Sequence, residues 1–398
     1  MIELLFLLLP VAAASGWWLA RRDGAAQREE PRGAAPAFFR GLNYLLDEQP
    51  DKAIDVFLKL AEVDTETAET HLALGSLFRR RGEVDRAIRI HQNLIARDTL
   101  SREQRGFAMF ELGQDYMRAG LLDRAELLFQ EVAELGMHRE RALQGLLDIY
   151  QQERDWVQCL EVAERLKPFT DRSMGVEIAQ YHCELAEEAR RAGDAGKARR
   201  HLSRAQDSDP SCVRATILEG QMALETLDNQ AAVDLFLRVA DQGASLVPEV
   251  LPALVKALHA LGRDEVPVLE SLAAKCSSPP LILALADAIR HERDADAAME
   301  TLTRYLGANV DLAALERLLA LQGEQGPKGE WNVERNRVVY QVVRYLLARQ
   351  PAYQCDHCGF SARALHWQCP SCKRWGSVQP VRPERIPGGE VLHERRIA

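Results

Sequence analysis

The sequence predicts an all-α fold: a superhelical solenoid of stacked helix pairs, with a transmembrane helix before it and a small cysteine-rich module after it. Three observations carry this. Small and aromatic residues return at a step of 34 positions, residues 4–20 are almost unbroken hydrocarbon, and two Cys-x-x-Cys pairs stand near the C-terminus. Composition agrees. Of 398 residues, 47% are hydrophobic and 27% charged, so most of the chain has a core to build. Aromatics, at 6%, are too few for a typical strand sandwich, while Ala, Leu, Arg and Glu suit packed helices. A formal net charge of −9 opposes a sequence-independent nucleic-acid binder, which needs the opposite sign to meet phosphates.

Residues 1–20 are expected to anchor the chain. Leu4 to Ala20 is at the short end of a spanning helix, with Trp17 and Trp18 near one end, where amphipathic rings favour the headgroup region. Arg21 and Arg22 follow, and no Lys or Arg precedes the segment. Cationic residues stay in the cytoplasm, so the bulk of the chain is expected there. A secretory signal would need a basic start, which is missing, although Ala12-Ala13-Ala14 resembles a cleavage site. Residues 21–36, charged and rich in Gly, Ala and Pro, read as a linker.

Residues 37–308 carry the repeats. Gly41, Tyr44, Ala53 and Phe57 map onto Gly75, Phe78, Ala87 and His91 at an offset of 34, and these onto Gly113, Tyr116, Ala125 and Phe129 at an offset of 38. Ala198 and Ala232 make another step of 34. A period of 34 marks tetratricopeptide repeats, with units starting near residues 34, 68, 106, 140, 179, 213, 247 and 279. The residue types follow from packing: small residues let paired helices approach, and large ones fill the space between neighbours. Gly82, Gly120, Gly193 and Gly262 fall between the helices of a pair, where the chain must turn. Such arrays present extended surfaces that bind proteins and seldom perform chemistry. Arg79, Arg80 and Arg81, or Arg190, Arg191, Arg199 and Arg200, read either as anion-binding rows or as solvated helix faces. Cys159, Cys183, Cys212 and Cys276, scattered singly, read as small packing residues.

Residues 309–350 are expected to be connecting helices, including one from Trp331 to Arg349, and 381–398 a C-terminal tail. Between them, 351–380 form the metal module. Cys355 and Cys358, then Cys369 and Cys372 after ten intervening residues, supply four thiolates for one tetrahedral ion, iron or zinc. Four sulfurs leave no open coordination position, which argues for a structural or redox ion rather than a hydrolytic one. Gly359 permits a left-handed turn behind the first pair. Tyr353, Phe360, Trp367 and Trp375 are the expected core of the module, and His357 and His366 its surface. No phosphate-binding loop, catalytic triad or His-Glu-x-x-His pattern is found, so no catalytic residue is assigned.

A single N-terminal span, a tetratricopeptide array and paired terminal knuckles, in this order, resemble the lipopolysaccharide assembly protein B family, whose tail is called rubredoxin-like. The tail from Tyr353 through Trp375 is the most specific part of the likeness. The resemblance implies a non-catalytic adaptor of the Gram-negative inner membrane, with the ligands at Cys355, Cys358, Cys369 and Cys372 and iron the usual metal. It implies that the adaptor works with an FtsH-type membrane protease to promote degradation of the deacetylase committing precursors to lipid A. Lipopolysaccharide assembly proteins and an opposing sulfatase-like inner-membrane regulator are the other implied partners; no nucleic acid is expected, and the oligomeric state is left open. The knuckles lie closer together than in true rubredoxins, and Lys373 replaces the second knuckle glycine, which favours a structural ion. A tetrathiolate-iron electron-transfer protein, and a nucleic-acid ribbon using Lys373, Arg374, Arg382 and Arg385, are the competing readings.

Overall fold

The computed structural model describes residues 34–47, 49–63, 68–170, 173–276, 278–324, 333–381 and 384–385. The expected anchor and linker fall almost wholly outside these residues, as do Trp331, Arg382 and most of the tail. None of the described helices is long and apolar enough to cross a membrane.

Eighteen helices are described. They are α1 (Ala34–Leu46), α2 (Pro50–Val63), α3 (Ala68–Arg81), α4 (Val84–Ile95), α5 (Arg102–Ala119), α6 (Leu122–Leu135), α7 (Arg139–Glu153), α8 (Trp156–Leu166) and α9 (Gly175–Arg191). Then come α10 (Ala195–Ser208), α11 (Val213–Glu225), α12 (Asn229–Gln242), α13 (Val247–Ala260), α14 (Val266–Lys275), α15 (Pro279–Glu292), α16 (Ala295–Leu306), α17 (Leu312–Glu324) and α18 (Val333–Leu347). First helices of the eight pairs open at 34, 68, 102, 139, 175, 213, 247 and 279, beside the repeat starts read from the sequence. The chain forms two compact units: one runs through Asp155 and includes Glu164–Thr170, and the other holds Trp156–Ala163 and everything from Asp171.

In the first unit, the repeating glycines are where helices touch. A Cβ on Gly41 would lie 2.6 Å from the Phe57 ring, and one on Gly113 would lie 2.6 Å from Phe129. Ala53, Ala87 and Ala125, the second small position, are fully buried. His91 takes the place of the phenylalanine against Gly75, and a polar cluster forms around it. Its Nδ1 lies 2.5 Å from Asp115, which also accepts from Arg79 at 2.7 Å, while Arg79 reaches Glu111 at 2.6 Å. Arg79 is therefore committed to an internal network. Arg81 pairs with Asp51 and Glu83, and Arg80 is exposed.

The second unit repeats the scheme. Phe236 fills the space beside Gly220, and Ala198 and Ala232 are fully buried. Arg190 bonds Gln221 and Glu225, and Arg191, Arg199 and Arg200 are exposed. Cys159, Cys183 and Cys212 are buried, the last two with their sulfurs 3.8 Å apart, and Cys276 is half-buried. The four glycines between paired helices take φ from 64° to 88°, and in two repeats Arg154 and Leu227 adopt the same left-handed turn without glycine.

Five short strands complete the second unit. β1 (Asn309–Val310) pairs antiparallel with β5 (Glu384–Arg385), tying the chain after the module back to the turn before α17. β2 (Tyr353–Cys355) is the centre of a three-stranded antiparallel sheet, with β3 (Ser361–Ala362) on one side and β4 (Val378–Pro380) on the other.

Candidate metal centre

Two knuckles of the same construction bring the cysteines together. In the first, the Cys355 N–H donates to the Phe360 carbonyl at 2.8 Å, and the Gly359 N–H to the Cys355 carbonyl at 2.9 Å. In the second, Cys369 donates to Arg374 and Lys373 to Cys369, both at 2.9 Å. Each needs one left-handed residue. Gly359 takes φ 74° at no steric cost, whereas Lys373 takes φ 60° against its Cβ. β2 and β4 hold the knuckles in register, with Cys355 opposite Val378.

All four sulfurs lie within 4.8 Å of one another. Cys355 Sγ is 3.7 Å from Cys372 Sγ, and Cys358 Sγ is 3.6 Å from Cys369 Sγ. A regular tetrahedron with metal–sulfur bonds of about 2.3 Å has edges of about 3.8 Å, so the donor set fits one iron or zinc ion. Cys355 and Cys369 are buried, and Cys358 is exposed.

The surroundings favour thiolates at one edge. The Ser377 hydroxyl, 3.3 Å from Cys355 Sγ, does most to draw that thiol down to about 6; burial opposes it, and the amides of Cys358 and His357 add to the fall. The Phe360 amide lowers Cys358. Burial pushes Cys369 up to about 11, against the amides of Cys372 and Ser371 that face it. A bound cation would favour the thiolate at all four positions. His357 and His366 are exposed and stand outside this quartet.

Of the four aromatics expected to form the module's core, Tyr353 and Phe360 pack against it and Trp367 and Trp375 do not. That core consists of Cys355, Cys369 and Val378, with Tyr353, Phe360 and Cys372 against it. Trp367 instead packs against the helical core of the second unit, and its ring lies 5.4 Å from the Arg214 guanidinium. Trp375 meets Trp156 and Tyr181, with ring centroids 5.9 Å away in both cases. The physical reason is size. The thiolate quartet and short sheet occupy the module's centre, leaving the indoles to bury their area on helices.

Polar contacts fix the orientation. Tyr353 donates its hydroxyl to Glu249, and burial together with that carboxylate raises the phenol well above its usual range, so it stays a donor. Ser245 Oγ is 2.8 Å from Gln379 Oε1. Arg214 is only 3% exposed and is held by Gln180 at 3.2 Å and by Glu184 and Glu187 at 2.8 Å each. Tyr181, Arg214 and Glu249 come from three successive first helices, α9, α11 and α13. Sequence reading missed this surface. Arg214 and Glu249 do not stand out in the sequence from the other charged residues of these helices, such as Glu184 and Lys256.

Comparison with known proteins agrees with both parts of the molecule. Residues 353–380 match the rubredoxin metal binding domain, and residues 72–140 and 183–246 match the tetratricopeptide repeat. Lipopolysaccharide assembly protein B of Escherichia coli K12 is 38% identical over 385 residues, covering 96% of this chain and 99% of its own. The protein of that name from Haemophilus influenzae is 33% identical over 392 residues, covering 96% and 98%. Among solved structures, MamA aligns over 43% of this chain and 94% of its own at 20% identity, with a TM-score of 0.33. With full-length relatives at this identity, the chain belongs to the lipopolysaccharide assembly protein B family.

Proposed function

We propose that this chain is a membrane-anchored, non-catalytic adaptor that regulates lipopolysaccharide synthesis. Two supports are the name its full-length relatives carry and the repeat architecture, which binds proteins along extended surfaces. The observation that carries the reading is the docking of the cysteine module on α9, α11 and α13 through Trp375, Trp367 and Tyr353. A closed tetrathiolate site fastened to a repeat array suits a scaffold better than a reaction centre.

In this reading, residues 1–20 span the inner membrane and 21–36 tether a cytoplasmic body. Cys355, Cys358, Cys369 and Cys372 hold one iron or zinc ion, which supplies a cross-link for a module too small to hold itself together. The repeats present the lipid A-committing deacetylase to an FtsH-type protease, under opposition from a sulfatase-like inner-membrane regulator. Confinement to the membrane raises the effective concentration of protease and cargo.

The test is the lifetime of the deacetylase in cells carrying the full chain or its Cys355→Ser/Cys358→Ser variant. The variant is expected to lose the ion and prolong the lifetime. Unchanged turnover in a metal-free variant contradicts a structural role for the ion. A reversible one-electron couple in the purified chain, with a dedicated reductase partner, would replace the adaptor with an electron-transfer protein.

A further inference from the structure

Helix α18 presents more apolar surface than its packing uses. Its inner side, Tyr340, Val343 and Leu347, is at least half-buried where the helix packs on α17. A surface helix normally turns its remaining side to water with polar residues. Here Val338, Val342 and Tyr345, at i, i+4 and i+7, are 60%, 51% and 56% exposed, and Val339 and Leu346 widen the stripe. No described residue covers this face.

The charge around the stripe is mostly basic. Residues 333–350 hold four arginines and one acid, Glu334, in a chain whose net charge is −9. Arg337 and Arg344, with Tyr340 and Gln341, line a pocket of about 500 Å³ beside the stripe. Arg349 extends the stripe by one turn, its guanidinium 4.2 Å from the Tyr345 ring. Glu316 of α17 is hydrogen-bonded to Tyr340. Exposed aliphatics, a tyrosine at their end and flanking arginines are the composition of a helix lying in a membrane interface. A protein surface would need matching acidic and apolar groups; a bilayer with anionic headgroups offers both over any area.

We propose that the exposed face of α18 is a lipid-binding surface that lies on a bilayer containing anionic phospholipids, with Val338, Val342 and Tyr345 against the acyl boundary and Arg337 and Arg344 at headgroup phosphates. The proposal rests on the membrane-anchored reading, since the N-terminal segment would bring α18 to that surface. It adds a second membrane contact that orients the body of the protein.

The full chain is reconstituted into vesicles of phosphatidylcholine, with or without phosphatidylglycerol, and amide exchange is followed across residues 337–349. Exchange is expected to slow only with phosphatidylglycerol present. Val338→Ser/Val342→Ser/Tyr345→Ser should abolish the effect, and Arg337→Gln/Arg344→Gln should weaken it about fivefold per arginine. Circular dichroism checks that both variants remain folded. Wild-type protein that floats with vesicles but exchanges at the same rate in both overturns the proposal and leaves the N-terminal anchor standing. Flotation lost in the α18 variants overturns the anchored reading, and with it the place of α18 as a second contact, while lipid binding by α18 itself stands. Protection that persists without vesicles, or that rises with protein concentration, overturns the proposal in favour of another protein segment or a second copy.

Discussion

Trp375 meets Tyr181 edge to face, with ring centroids 5.9 Å apart and planes at 81°. Trp156 approaches the same indole at 71°. The cysteine module is thus fastened to the helices by a side chain three positions beyond its last cysteine. Two such contacts contribute about 1–3 kcal/mol beyond buried area. Trp375→Ala is expected to speed amide exchange across residues 353–380 by roughly 5- to 150-fold while leaving metal content unchanged. Loss of the ion in this variant would mean that docking and metal binding are one event.

The buried cluster of His91, Arg79, Glu111 and Asp115 puts charge between two repeats. Asp115 is fully buried and serves both Arg79 and His91. Asp115→Ala leaves both without that partner and is expected to cost about 3 kcal/mol in urea unfolding. A change below about 1 kcal/mol would show that Glu111 alone suffices for Arg79.

Close helix contact at Gly220 is equally testable. An added Cβ would sit 2.4 Å from the Phe236 ring, whereas at Gly323 it would meet nothing within 4 Å. Gly220→Ala should destabilise the second unit by about 1–3 kcal/mol in thermal unfolding, with Gly323→Ala as the silent control. Equal melting of the two variants would refute the packing role of the repeating glycine.

Lys373 holds a left-handed conformation at the position its twin knuckle gives to Gly359. The strain is about 1–2 kcal/mol, partly offset by the stiffer unfolded chain of a lysine. Lys373→Gly is therefore expected to slow metal release to a chelator about twofold to fivefold. Faster release would assign the lysine side chain a stabilising contact that outweighs its backbone strain.

Local and periodic features were legible in the sequence. The glycine-to-phenylalanine spacing announced helix contacts because both residues recur with the repeat, and the thiol quartet announced itself because each pair folds from its own turn. Long-range features were not. Ser245 and Gln379 bond across 134 residues, and Tyr353 and Glu249 across 104, so spacing carries no sign of either. From the sequence, Trp367 and Trp375 read as module core for the same reason: the helices that receive them lie far away in the chain. Arg79 was open to an anion-binding reading because its partners, Glu111 and Asp115, belong to the next repeat.

The central claim is that a single ion joins the four terminal thiols and lets the module dock. Metal analysis of the purified full chain, combined with thiol counting by mass spectrometry under native and denaturing conditions, tests it most directly. The account predicts one iron or zinc per chain, with Cys355, Cys358, Cys369 and Cys372 reduced and protected until the ion is removed. A metal-free chain with Cys355 joined to Cys372 and Cys358 to Cys369 as disulfides would contradict it.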